Sequence, residues 1–223
     1  MNPSIKASAR IYLLCVALTG WFGLILQWYI LLQQARELGT PIFSAIANYF
    51  SYFTILTNII VAGGSTCCLF FYDSGAGKFF LRPGVQAGTA MQISIVGIVY
   101  SLVLRELWEP KGLQLVADII LHDAIPLLYV IYWIFLAPKG LLKWSDPVLW
   151  LAYPMIYSVY SLIRGFYTDR YPYPFIDVTK LGYRSVFINM LILLTGFLIL
   201  GMLIVFLDKY IFKISPEKKS KDL

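Results

Sequence analysis

Charge is scarce in this sequence. Only 13% of its 223 residues are Asp, Glu, Lys or Arg, against about 25% in an ordinary globular domain. A soluble chain of this length could not cover its surface with so few ionic groups. Cysteine is nearly absent as well. Cys15, Cys67 and Cys68 all sit inside apolar runs, form no CxxC pattern and imply no disulfide framework, so they read as packing residues. Histidine occurs once, as His122, which leaves few ligands at any plausible zinc spacing. Basic residues interleaved with exposed aromatics are missing, which argues against a nucleic-acid partner. What is abundant is hydrocarbon: 59% of the residues are apolar, against roughly 45–50% in globular proteins. Disorder, coiled coil and a disulfide scaffold are excluded together, and a polytopic membrane protein remains.

A spanning helix needs ~20 apolar residues, so 223 residues hold about six or seven spans with their connections. Six apolar stretches can be marked, at about 11–35, 43–72, 86–104, 115–136, 147–165 and 185–208. The expected fold is all-α: one domain of six transmembrane helices over residues 1–212, followed by a basic cytoplasmic tail at 213–223. The first stretch is too long for a signal-peptide core and lacks a small-residue cleavage site, so it stays as a helix. The second runs without a charge from Leu38 to Tyr72, more than one span needs, and is either tilted or partly interfacial. Lys6, Arg10, Lys78, Arg82, Lys139, Lys143, Lys209, Lys213, Lys218, Lys219 and Lys221 fall on one side, and Arg36, Arg105, Lys111, Arg164, Arg170, Lys180 and Arg184 on the other. This bias puts both termini inside, with the tail against lipid headgroups.

Turn signals punctuate the chain at Asp73-Ser-Gly-Ala-Gly, Glu109-Pro-Lys-Gly and Ala137-Pro-Lys-Gly. The longest outer connection, 166–184, carries Tyr171-Pro-Tyr-Pro-Phe175. Its prolines stiffen it and its aromatics suit a membrane interface, so it reads as a lid or as an interfacial anchor.

An ionisable residue inside a span marks a site by default, because lipid makes it costly. His122 lies in the fourth stretch, in Asp118-Ile-Ile-Leu-His-Asp-Ala-Ile-Pro126. Asp118, four residues earlier, shares its helical face and could hold the imidazole in one tautomer. Asp123 points elsewhere and needs a partner such as an arginine. Pro126 has no N–H, so the carbonyl of residue 122 loses its helical partner. A structural hydrogen bond and a catalytic or ligand function both remain open for His122. In the second stretch, Ser51, Thr54 and Asn58 form one stripe at spacings of three and four. Such stripes ordinarily join helices, and membrane threonines often bond their own i−4 carbonyl. Depth adds a further observation. Thr54 lies 11 residues into its stretch and His122 7 into its own, about 16 Å and 10 Å at 1.5 Å per residue. Both stretches begin on the same side. Arg105, Arg164, Arg184 and Asn189 gather there too, so the in-span polar residues converge on one leaflet.

The run Asn48-Tyr-Phe-Ser-Tyr-Phe-Thr54-Ile-Leu-Thr-Asn58 resembles the second-span motif of the androgen-induced protein family. That family includes the androgen-dependent regulator of tissue factor pathway inhibitor and many uncharacterised bacterial six-span relatives. His122-Asp-Ala-Ile-Pro-Leu-Leu128 resembles its helix-four histidine segment, and Tyr171-Pro-Tyr-Pro-Phe-Ile176 its aromatic–proline signature. The three motifs keep the family's order and intervals and cover most of the chain. The resemblance implies an intramembrane threonine hydrolase of fatty acid esters of hydroxy fatty acids, working without metal or soluble cofactor. It maps the nucleophile to Thr54 and the base to His122. Two positions depart from the animal members: Thr57 stands where they carry an acidic residue, and Asp118 where they carry an amide.

Such a hydrolase would take a lipid ester laterally from the bilayer, and Asp118 would support the base. Asn58, Ser51 or a rim arginine, Arg105 or Arg164, would supply the oxyanion donors. The competing readings are a non-enzymatic lipid-binding or scaffold protein and a small transporter. The inner halves of the stretches, mostly Leu, Ile, Val and Phe, argue against a continuous pore. The expected partners are membrane lipids and a lipid-ester substrate, and the expected location is a bacterial cell membrane, with a eukaryotic organelle as the alternative.

Overall fold

The computed structural model describes residues 7–211. The basic tail at 213–223 lies outside the described residues. The protein is all-helical, 83% helix, and no strand occurs among the described residues. The elements are α1 (Ala7–Glu37), α2 (Ile42–Tyr49), α3 (Phe53–Phe70), α4 (Gly75–Phe80), α5 (Pro83–Val99), α6 (Leu113–Ile119), α7 (Ile125–Leu136), α8 (Asp146–Trp150), α9 (Ala152–Thr168) and α10 (Val178–Phe206). Wide turns with i→i+5 hydrogen bonds prolong α5 over Tyr100–Leu104, join α6 to α7 over Ile120–Ala124, and prolong α10 over Leu207–Ile211.

Among the described residues, five helices are long and apolar enough to cross a membrane: Ala7–Glu37, Phe53–Phe70, Pro83–Leu107, Leu113–Leu136 and Val178–Ile211, the last kinked at Gly182. The chain is therefore compatible with a multi-pass integral membrane protein. The remaining apolar stretch, 147–165, forms the short α8 and the 17-residue α9, separated at Leu151. Helices suit such runs because hydrocarbon offers no partner for a backbone N–H or C=O, and a helix satisfies them within the segment. The outer surface is correspondingly apolar. Ile11, Leu18, Ile25, Leu102, Leu127, Phe135, Leu191 and Ile199 are all exposed, and only 28% of the apolar window of Val178–Ile211 is buried inside the protein.

The core runs along the bundle axis through Leu13, Val16, Val61, Met91, Ile93, Ile125 and Val205, each at most 1% exposed. α1 lies along α3 and against α6 and α7, while α5 packs on α3, α7 and α10. The end of the bundle where α5 begins is not wholly hydrocarbon. Gln86, Thr89, Gln92 and Ser65 are buried there, and Gln92 Nε2 donates to the Trp150 carbonyl at 2.9 Å. At the same end, buried Asp208 accepts from the backbone N–H of Leu142 at 3.1 Å and ties the 137–145 connection to the end of α10.

The second apolar stretch is broken. Phe50, Ser51 and Tyr52 separate α2 from α3, with Tyr52 extended at φ −87°, ψ 128°. A side chain from α9 satisfies one backbone group the break leaves open: Tyr157 Oη donates to the Ser51 carbonyl at 2.8 Å. At the end of α2, Tyr49 Oη donates to the Leu24 carbonyl of α1 at 2.8 Å and anchors the break to that helix. Thr54 is therefore the second residue of a helix and not, as counting along one unbroken helix suggested, a residue three turns deep.

Candidate active site

The break sets Thr54 in the first turn of α3, where the backbone N–H groups have no intrahelical acceptor. The positive end of the helix dipole lies at the same place. Thr54 is 8% exposed. Its N–H donates to Tyr173 Oη at 3.2 Å, and its Oγ1 lies 3.4 Å from the same hydroxyl. One turn further along α3, Asn58 is fully buried, and its Nδ2 donates to the carbonyls of Thr54 at 2.9 Å and Leu121 at 3.2 Å. This side chain brings the start of α3 level with the wide turn that carries His122.

Two wide turns face each other beside it. The ring of Tyr100 stacks on that of His122, with centroids 3.9 Å apart and planes 13° from parallel. The Tyr100 hydroxyl donates to Asp118 Oδ2. His122 Nδ1 lies 3.1 Å from Asp118 Oδ1 and 3.1 Å from the Asp118 carbonyl. These partners are both acceptors, which assigns the proton to Nδ1 and leaves Nε2 as the basic nitrogen. Asp118 is only 4% exposed; the Tyr100 hydroxyl serves its Oδ2, while its Oδ1, beside Nδ1, has no hydrogen bond. α5 reaches this turn because Gly97 has no side chain: a Cβ there would stand 3.2 Å from the His122 carbonyl oxygen.

Thr54, Asp118 and His122 line a single cavity of about 410 Å³, within the size range of small-molecule sites. Tyr100, Trp108 and Leu121 form part of its wall, and Gln27, Gln34, Asn48 and Gln114 bring polar groups to it. Gln114 Nε2 donates to Gln27 Oε1 at 2.9 Å, joining α6 to α1. Thr54 also borders a second, apolar chamber of about 70 Å³ among α3, α5, α9 and α10, lined by Phe53, Val99, Met190, Leu194 and Phe197 among others. Tyr173 and Leu104 border both spaces.

The 166–184 connection contributes Pro172, Tyr173 and Pro174 to the cavity wall. Tyr173 is buried, edge-on to Tyr52 and stacked on Phe175. Burial pushes its hydroxyl above the ordinary tyrosine range, so it is a neutral donor. Gly165 permits this path, since a Cβ there would fall 2.0 Å from the Tyr171 ring. At the far end Asp177 caps α10, accepting from the Thr179 N–H at 3.1 Å and from the Thr179 hydroxyl at 2.6 Å. The hydroxyl bond holds the Asp177 carboxyl below its usual range.

The other residues singled out from the sequence lie elsewhere. Asp123 pairs with Arg105, whose guanidinium sits over the outer face of Tyr100, 5.1 Å from the ring centroid. Ser51 is fully buried, donates to the Ala47 carbonyl, and does not line the cavity. Asn58 has spent both amide hydrogens on carbonyls. Arg164 donates to the Arg170 carbonyl at 2.9 Å, away from the cavity. Thr57 is buried beside the Tyr153 hydroxyl, 3.2 Å away. Tyr100, Tyr173, Gln27 and Gln114 were not singled out. For Tyr173 the aromatic–proline run was a signal; for Tyr100 the sequence offers none. Among the described residues, no group of three or more His, Cys, Asp or Glu side chains could hold a metal ion. Comparisons with protein-family models, with curated proteins and with solved structures each find no match to this chain.

Proposed function

We propose that this chain is an intramembrane lipid-ester hydrolase with Thr54 as nucleophile and His122 as general base. The observation that carries the reading is one cavity, reached by a threonine at a helix N-terminus and by an imidazole whose Nδ1 is held by the Asp118 carbonyl and flanked by that residue's buried carboxylate. Thr54 Oγ1 attacks the ester carbonyl as its proton passes to His122 Nε2. The tetrahedral oxyanion is met by the Tyr173 hydroxyl and the first-turn N–H groups of α3; one such donor is typically worth ~3 kcal/mol. The C–O bond to the alcohol breaks, and His122 returns the proton to the departing oxygen. Water then attacks the acyl-threonine, giving up a proton to His122, and the fatty acid leaves with Thr54 restored. Asp118 stabilises the imidazolium in both halves.

The resemblance to the androgen-induced protein family supports the same pair and names fatty acid esters of hydroxy fatty acids, or similar lipid esters, as substrates. The full reading has six spans, with α8 and α9 together forming the fifth, and both termini on the cytoplasmic side of a bacterial cell membrane. The catalytic cavity then faces the outer leaflet.

The deciding experiment measures lipid-ester hydrolysis by purified protein in detergent, together with labelling by a fluorophosphonate. Wild type should hydrolyse the ester and carry the label on Thr54. Thr54→Ala and His122→Ala should lose activity by at least about a thousandfold and lose the label. Activity unchanged in either variant refutes the assignment. No labelling and no hydrolysis would favour a lipid-binding scaffold in which Thr54 serves only the packing of α3.

A further inference from the structure

Resting on that reading, the geometry also bears on where the acyl chain goes. In the proposed reaction His122 returns a proton to the departing alcohol oxygen, so the alcohol portion must lie on the His122 side of Thr54. His122 lines the larger cavity and is absent from the wall of the apolar chamber. The hydroxy fatty acid portion therefore turns into the larger cavity, whose wall also carries the amides of Gln27, Gln34, Asn48 and Gln114. The acyl chain, on the other side of the ester carbonyl, is directed into the chamber among α3, α5, α9 and α10.

That chamber cannot enclose a fatty acyl chain. Its volume, about 70 Å³, is little more than the share of two liquid waters at about 30 Å³ each, room for roughly the first two or three carbons. The rest of the chain must leave the protein, and the walls differ in how they are closed. α3 is joined to α9 by the Tyr157 ring against Phe53, with centroids 5.0 Å apart, and by the Tyr153 hydroxyl beside Thr57. α3 meets α10 through Phe53 and Phe197, and α5 packs on both α3 and α10. The seam between α9 and α10 carries no hydrogen bond or ring contact among the described residues. Its chamber-lining side chains, Ser158 of α9 and Leu193 and Leu194 of α10, are only half-buried. They continue outward into the exposed apolar surface at Met155, Val159, Leu191 and Ile192.

We infer that the chamber is a portal: the first carbons of the acyl chain lie in it, and the remainder passes between α9 and α10 into the bilayer. Carbons that stay in lipid exchange one hydrocarbon environment for another and gain nothing from burial. Acyl length beyond the chamber then leaves no mark on kcat/KM, and the far end of the chain tolerates bulk.

The test uses acyl esters of one hydroxystearic acid at equal mole fraction in the same detergent micelles. The acyl groups are acetyl, octanoyl, octadecanoyl and a decanoyl chain tipped with pyrene. Each is assayed with wild type and Thr54→Ala, and the acetyl and octadecanoyl esters also with Ser158→Trp. Wild-type kcat/KM should agree within about threefold for the octanoyl, octadecanoyl and pyrene-tipped chains. Ser158→Trp narrows the mouth and should lower the ratio of kcat/KM for octadecanoyl to that for acetyl, which ends inside the chamber, by at least about tenfold. A ratio of rates is insensitive to the fraction of protein that folds, and the wild-type length series decides by itself if the variant does not fold. A Thr54-dependent rate that falls beyond the threefold range past octanoyl, or at the pyrene, describes a closed pocket; it overturns the portal and leaves the hydrolase reading standing. An unchanged ratio in Ser158→Trp does the same. If no ester is hydrolysed in a Thr54-dependent manner, both are overturned.

Discussion

Replacing Asp118 with Asn moves a single proton. In the native site the carboxylate accepts from the Tyr100 hydroxyl through Oδ2 and faces His122 Nδ1 through Oδ1 at 3.1 Å. Tyr100 gives it a hydrogen, while the Nδ1 proton goes to the Asp118 main-chain carbonyl with Oδ1 unpaired beside it; in the proposed reaction Nε2 then takes the Thr54 proton. Asparagine offers one acceptor and one donor group. When its oxygen serves Tyr100, its NH2 meets Nδ1 and drives the imidazole proton to Nε2, where it blocks the base. In triads of this type the wrong tautomer costs about 10⁴ in kcat. Here the Asp118 main-chain carbonyl, also 3.1 Å from Nδ1, competes for the Nδ1 proton and softens the loss. The expected fall in kcat/KM for the lipid ester is therefore about 10²–10³, or ~2.7–4 kcal/mol at 1.36 kcal/mol per decade. Thermal unfolding in detergent should change little, because a neutral amide is easier to bury than a carboxylate. Adding Tyr100→Phe removes the competing donor, lets the Asn oxygen turn to Nδ1, and should raise activity about tenfold above Asp118→Asn alone. Asp118→Asn within threefold of wild type, or a double variant no better than the single one, refutes the tautomer argument.

Gly165→Ala should push the Tyr171 ring off α9 and displace Tyr173 from Thr54; kcat/KM should drop at least about tenfold with a lower melting temperature, and unchanged kinetics would refute the coupling. Burial pushes the Lys139 ammonium down to about 8, against a weaker opposing pull from Asp208, while the unfolded side chain keeps a value near ~10.4. Between those values the unfolded chain binds the proton and the folded chain does not, so stability rises with pH across that window and the burial penalty is full below it. The melting temperature of wild type minus that of Lys139→Met should accordingly climb from about pH 7.5 to about pH 10; a flat difference overturns it. Asp177→Ala removes the α10 cap and should cost ~1 kcal/mol of stability, read by thermal unfolding, and a loss below ~0.3 kcal/mol would contradict the capping geometry. Leu194→Trp fills the apolar chamber beside Thr54 and, where that chamber takes the first carbons of the acyl chain, should lower kcat/KM for lipid esters at least about tenfold, whereas unchanged kinetics would place the acyl group elsewhere.

Hydropathy made the helical class legible, because a run such as Leu191–Phe206 can satisfy its backbone in lipid in only one way. It could not locate the interruption at Phe50–Tyr52. No Pro or Gly marks that position. The break is stabilised from a distance, by the Tyr157 hydroxyl on the Ser51 carbonyl and by Tyr49 on Leu24. A one-dimensional reading sees 43–72 as continuous, and so misjudges the depth of Thr54. The wide turn at Ile120–Ala124 was half visible: Pro126 announces a missing N–H, but the matching turn at Tyr100–Leu104 carries no proline, and the stacking of Tyr100 on His122 depends on both.

The site follows the same division. Groups that are expensive in lipid stand out in a sequence, which is why His122 and Asp118 were visible; a tyrosine hydroxyl among 16 tyrosines does not. Yet the chemistry proposed for this cavity needs the inconspicuous groups most. A nucleophile in mid-helix would have every nearby N–H committed to the i−4 carbonyl. Starting a helix at Phe53 frees first-turn donors beside Thr54, but it also strands carbonyls at membrane depth. Tyrosines resolve that conflict, because each carries a hydroxyl on a body apolar enough to be buried. Tyr157 caps the stranded Ser51 carbonyl, Tyr173 occupies the N–H of Thr54, and Tyr100 holds the carboxylate behind His122. Each of these hydroxyls comes from a different helix or loop, so the geometry at Thr54 exists only when the whole bundle is assembled. That is why the short motif around Thr54 names a candidate nucleophile but cannot, by itself, specify an active site.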